Sequence, residues 1–182
     1  FKYLYIKKHY LYSLIKKTIM KRTIIIVRHA KSDWSNGELS DFERPLNARG
    51  KRDIPIMASY LIQHYPSIDL AIASDSVRTT ETIEGIKKYG YTIAQLSYNH
   101  KLYLASKETI ETIISETPET TTTILICAHN PGVSDFVQSM CGLDFFDMPT
   151  LGIVYIEVEI EQWTDIFSAR GSIVRFDYPK KK

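Results

Sequence analysis

Three short apolar runs constrain this chain more than any other feature: Thr23–Val27 (TIIIV), Asp69–Ala73 (DLAIA) and Thr123–Ala128 (TILICA). None alternates polar with apolar side chains, and that is the pattern of strands buried on both faces. Such strands belong to a sheet covered by helices on either side, so each run predicts a central strand that hands over to a helix. After the first, Ile54, Met57, Ala58, Leu61, Ile62 and Tyr65 fall on one helical face, and Pro55 requires that helix to start near Asp53 or to kink. After the second, Ser74–Ser76 offers capping side chains to a helix that reaches Tyr89 and stops at Gly90. A weaker strand over 92–96 leads to Ser106, a cap for a helix carrying Ile110, Ile113 and Ile114. After the third run, Asn130–Pro131–Gly132 supplies a capping side chain and a first-turn proline.

Two later strands are expected over 152–160 and 173–176. In the first, Glu157 and Glu159 alternate with Ile156, Val158 and Ile160, as on a half-exposed edge. The expected fold is therefore a three-layer α/β architecture: a mostly parallel central sheet, helices on both faces and an antiparallel edge strand. Its 182 residues suffice for one such domain, read here as 20–182.

Residues 1–19 read as a basic extension. The segment 1–22 holds seven of the 23 Lys and Arg side chains and no acid, leaving 16 basic and 21 acidic side chains in the remainder. The body thus carries no basic surface of the kind nucleic acid demands. The extension lacks the ~20 apolar residues of a membrane span and the uninterrupted ~7–15 of a secretory signal. It is expected to be upstream sequence joined to a protein starting at Met20, a basic amphipathic helix on an anionic membrane being the alternative. Two cysteines, Cys127 and Cys141, are too few for a disulfide framework and suit a reducing, cytoplasmic setting as plain thiols.

Where each buried run ends, chemistry begins. Arg28–His29 follows the first, Ser74 with Arg78 four residues on follows the second, and His129–Asn130 follows the third. In a parallel sheet these segments share the crevice beyond the carboxyl ends of the strands. Two guanidiniums and two imidazoles beside helix N-termini make an anion site, and the guest expected is a phosphoryl group. Each arginine offers a planar fork to two phosphate oxygens and keeps its charge. Imidazole attacks phosphorus only when unprotonated, and neighbouring cations favour that form. His29 is the candidate nucleophile, His129 a donor to the transferring oxygens, and Arg28 and Arg78 the electrostatic clamp. No metal or other cofactor is called for: no third ligand has suitable spacing, and nearby arginines repel a cation.

The segments Arg28–His29–Ala30–Lys31–Ser32–Asp33–Trp34, Arg44–Pro45–Leu46 with Gly50, Ser74 to Arg78 to Thr82, and Ala128–His129–Asn130–Pro131–Gly132 resemble the histidine phosphatase superfamily, in particular its SixA-type phosphohistidine phosphatases. The resemblance runs from about Thr23 to about Pro179. It implies a phosphoglycerate mutase-like fold, phosphorylation of His29, a phosphate pocket completed by Arg28, Arg78 and His129, and release of phosphate by water. Ala30 and Ala128 stand where glycine is frequent in the superfamily, and both are small enough for close backbone approach.

Superfamily members acting on phosphate esters often supply a carboxylic acid from the loop after the second helix, but the comparable stretch 99–105 (NHKLYLA) has no Asp or Glu. An alkoxide leaving group gains ~10²–10⁴-fold from an acid, whereas a phosphoimidazole protonated on its other nitrogen departs as neutral imidazole. The expected substrate is therefore a phosphohistidine-containing protein. The alternatives are a small-molecule phosphomonoesterase, with Asp33, Asp41 or Glu43 swinging in as the acid, and a phosphate-recognition module without turnover. Arg44, Lys31, Ser32 and Asn130 are candidate substrate contacts, each with a structural reading beside it: Arg44 capping a helix or pairing with Glu43, Asn130 capping the helix that follows it. Trp34 is read as lining the mouth or packing on its loop. Cys127 is read as core, His9, His64 and His100 as structural histidines, and Lys180–Lys182 as a solvated tail.

Overall fold

A computed structural model describes residues 19–179. The expectations for the extension up to Thr18, for His9 and for the 180–182 tail concern residues outside that range; Ile19 is exposed. Six strands form one sheet: β1 (Met20–Arg28), β2 (Ser67–Ala73), β3 (Thr92–Tyr98), β4 (Thr123–Ala128), β5 (Ile153–Ile160) and β6 (Gly171–Asp177), in the order β3-β2-β4-β1-β5-β6. The first four in that order run parallel, while β5 pairs antiparallel with β1 and β6 antiparallel with β5. Glu157 and Glu159 suggested an edge at β5, but β6 covers that strand and is itself the edge. The alternation arises because Glu157 and Glu159 sit toward the far end of β5, where Glu157 pairs with Lys21 at 2.6 Å.

The apolar runs divide their side chains between the two faces, as period-2 geometry requires. Ile24, Ile26, Ile124 and Ile126 pack under α3 (Lys107–Ser115) and α4 (Gly132–Cys141), with Phe136 and Trp163 filling the space. Ile25, Val27, Leu125 and Cys127 pack under α1 (Ala48–His64) and α2 (Val77–Lys88). Helix α1 begins before Pro55 and runs through it, held at its start by Asn47, whose side chain accepts from the Gly50 amide at 2.9 Å. Of its apolar face, Ile54, Met57, Ala58 and Leu61 are buried, whereas Ile62 turns outward.

Capping follows the sequence at Ser106, which accepts from the Thr109 amide, and departs from it twice. Ser76 begins α2 without a side-chain cap bond; its hydroxyl is engaged by Thr79 at 2.9 Å. Asn130 does not cap α4, which opens at Gly132 after Pro131. The Asn130 amide group donates to Asp147 at 2.9 Å and to the Met148 carbonyl at 3.2 Å, and its oxygen accepts from Ser134 at 2.8 Å, so the side chain is spent on the 147–148 loop. No helix among the described residues is long and apolar enough to cross a membrane.

Candidate active site

Strand register brings the two imidazoles together. Arg28 pairs with Ala128 across β1 and β4, and the His29 amide donates to the Ala128 carbonyl at 3.1 Å, so the next residue of each strand, His29 and His129, emerges beside the other. Their ring centroids lie 5.0 Å apart. Ser74 joins them from β2, its amide bonded to the Cys127 carbonyl. On the first turn of α2, Arg78 is only 4% exposed and hydrogen-bonds to both rings.

The hydrogen bonds fix both tautomers. His29 Nδ1–H donates to the Ala30 carbonyl at 2.7 Å, leaving the Nε2 lone pair to accept from Arg78 Nε at 3.3 Å. His129 Nδ1 accepts from Arg78 Nη2 at 3.2 Å, so its Nε2–H donates to Ser74 Oγ at 3.1 Å, with Ser76 and Thr79 hydroxyls at 3.4 Å. Burial lowers the His29 pKa to about 4, opposed by the Ala30 hydrogen bond and helped by Arg78 and Arg28. Burial likewise takes His129 to about 3, with His29 and Arg78 adding to it. Both rings are neutral near pH 7; the sequence pointed only to the neighbouring cations, and enclosure outweighs them.

A cleft of about 200 Å³ opens over this group. Arg28, His29, Arg78 and His129 line it together, and so do Lys31, Ser32, Trp34 and Asn130. Arg28 Nη1 donates to the Met148 carbonyl at 2.5 Å. Arg44 is not among the lining residues: its guanidinium stacks on Trp34, 3.6 Å from the ring centroid, and approaches Asp41 at 3.4 Å. Ser32 Oγ accepts from the Trp34 indole at 3.1 Å.

The loop after β1 also brings a carboxylate into the cleft. Asp41 Oδ2 accepts from Arg78 Nη2 at 2.9 Å and from the Tyr103 hydroxyl at 2.8 Å, and the Asp41 carbonyl accepts from Arg78 Nη1. Burial raises the Asp41 carboxyl, but Tyr103 and Arg78 outweigh it and hold the pKa below its ordinary value. The other two loop acids are occupied elsewhere: Asp33 accepts from the Ser35 amide, Glu43 from Ser40. Tyr103 lies in the very stretch that lacks an acid; its ring edge meets His129 at 5.5 Å between centroids. Nothing in periodicity marks Tyr103. Thr79 was not singled out in the sequence, whereas Thr82 closes the Ser74 to Arg78 to Thr82 motif and ties the loop down by accepting from the Ala30 amide at 3.0 Å.

A buried imidazole whose Nε2 lone pair faces the Arg78 guanidinium thus lines a cleft at the carboxyl edge of a doubly covered parallel sheet, where such sheets bind their ligands. Residues 24–98 match the histidine phosphatase superfamily (branch 1). An uncharacterized Mycobacterium tuberculosis protein is 27% identical over 166 residues, 85% of this chain and 100% of that one. An uncharacterized chloroplastic Arabidopsis thaliana protein is 26% identical over 85% of this chain and 74% of its own length. Among solved structures, a Nakamurella multipartitia protein assigned as a phosphohistidine phosphatase SixA superposes with a TM-score of 0.77 at 20% identity, covering 89% of this chain and 98% of that one. The protein histidine phosphatase SixA complexed with tungstate gives 0.73 at 19% identity over 86% and 97%. The fold is thus the phosphoglycerate mutase-like, SixA-like one that the motifs implied.

Proposed function

We propose that this chain is a metal-independent phosphohistidine phosphatase that acts on phosphorylated protein through a covalent phosphohistidine on His29. The observation that carries the reading is the unprotonated His29 Nε2, aimed at the Arg78 fork and next to His129. In the first step the Nε2 lone pair bonds to phosphorus while the bond from phosphorus to the substrate's imidazole breaks, and that imidazole leaves neutral if its other nitrogen holds a proton. Arg78 and Arg28 neutralise the equatorial oxygens, and His129 orders the pocket beside them. The Nδ1–H of His29, held by the Ala30 carbonyl, makes His29 itself a neutral leaving group when water attacks phosphorus and the P–Nε2 bond breaks. A cleft of about 200 Å³ accepts a phosphoryl group and the side chain bearing it. The two unpaired cysteines accord with a cytoplasmic setting.

Incubation with a phosphohistidine-bearing protein, followed by acid-labile, alkali-stable phosphopeptide mapping, should place the label on His29. The His29→Ala protein should fold, bind inorganic phosphate and form no phosphoenzyme. Turnover undiminished in that variant refutes the assignment, and phosphate binding without turnover in the unsubstituted protein marks a recognition module instead.

A further inference from the structure

Asp41 is the one carboxylate among the loop's three candidates that reaches the cleft, and its position relative to His29 is specific. A single planar guanidinium carries both groups: Arg78 Nε donates to His29 Nε2 at 3.3 Å, while Nη2 donates to Asp41 Oδ2 at 2.9 Å. A phosphoryl group lying along that guanidinium therefore has the nucleophile at one end and the carboxylate at the other. In-line displacement needs this disposition, with the attacking atom and the proton donor on opposite sides of phosphorus.

From this juxtaposition we infer that Asp41 is the proton carrier of the reaction, and that it extends the site to phosphate monoesters with poor, alkoxide leaving groups. The inference rests on the proposed role of His29 as nucleophile. Asp41 satisfies Arg78 and Tyr103 as an anion. An entering phosphoryl dianion takes over Arg78 Nη2, and its charge then faces the carboxylate directly. Losing the cation and gaining a like-charged neighbour, Asp41 takes a proton from solvent. As the His29 Nε2–P bond forms and the P–O bond breaks, that proton passes to the leaving oxygen, which departs as an alcohol. The carboxylate left behind accepts a proton from the water whose oxygen bonds to phosphorus as the P–Nε2 bond breaks. Phosphate leaves, Asp41 returns its proton to solvent, and the carboxylate pairs with Arg78 again.

The groups around Asp41 suit this cycle. Tyr103 and Arg78 hold it, Arg44 stands at 3.4 Å on its outer side, and the Phe42 ring packs edge-on against Tyr103, 5.0 Å between centroids, fastening the loop next to the carboxylate. The Asp41 side chain remains 42% exposed, so solvent reaches it for proton exchange.

The test compares leaving groups by kcat/KM, which reports the first chemical step. p-Nitrophenolate leaves without a proton and the alkoxide of glycerol 2-phosphate does not. Asp41→Asn should therefore lose on the order of 100-fold more activity on glycerol 2-phosphate than on p-nitrophenyl phosphate, the range expected for a lost general acid. Asp41→Glu should recover part of the difference. Equal losses on the two substrates, or no measurable turnover of glycerol 2-phosphate by the unsubstituted protein, overturn the inference while a phosphoenzyme on His29 still stands. His29→Ala, assayed in parallel with both substrates, shows separately whether the nucleophile assignment has failed.

Discussion

Arg78 uses both the charge and the shape of its side chain, touching His29, His129 and Asp41 from one plane. Lysine keeps the charge and loses the fork, so Arg78→Lys should lower kcat/KM by roughly 100-fold and not restore the activity lost in Arg78→Ala, as steady-state assays of the pair would show. The imidazoles make a second prediction. The His29 pKa falls from 6.5 to about 4 on folding, so between those values the unfolded chain binds a proton that the folded one refuses. This contribution to stability is complete above pH 6.5 and is lost as pH drops toward 4. Denaturant midpoints at about pH 7 and pH 5 should therefore differ more for the unsubstituted protein than for His29→Asn. NMR titration of His29 should show no protonation until well below pH 6. A ring titrating near its ordinary value would mean that the pocket is wetter than its burial implies.

At the scale of elements, the legible parts were those that one physical cause decides. Thr123–Ala128 is β4 to the residue because a two-sided burial pattern has a single interpretation in an α/β chain. The same runs located His29, Arg78 and His129, since polar residues that end buried strands must face the crevice. Asn130 was misread because capping composition cannot reveal that a distant loop, 147–148, offers better partners. Asp41 could be named only as one of three acids, because choosing among them needs the path of a loop that no periodicity encodes. The close contact of α4 with the segment before α3 was equally invisible: a Cβ on Gly132 would collide with the Ala105 carbonyl. Gly132→Ala must push apart α4 and the segment bearing Tyr103 and Leu104. We expect it to destabilise by about 1–3 kcal/mol in urea unfolding and to reduce activity, although residue 132 does not line the cleft.

At the scale of the whole molecule, two cores share one sheet. Neighbouring residues of β4 serve opposite layers: Leu125 faces α1 and α2, and Ile126 faces α3 and α4. Either side chain cut back to alanine opens a cavity in a layer that it shares with the strands, and each change should cost about 2–5 kcal/mol. At roughly 2–4 °C per kcal/mol for a chain of this size, melting temperatures should fall by roughly 5–20 °C. The two layers are joined through every strand that places histidine or arginine in the cleft, so neither can open without releasing β4 and with it His129. Leu125→Ala and Ile126→Ala should each keep one cooperative transition, with loss of activity tracking loss of ellipticity. If either variant melts in two steps while activity survives the first, one helical layer is dispensable, and the register that pairs Arg28 with Ala128 suffices to hold the two imidazoles in place.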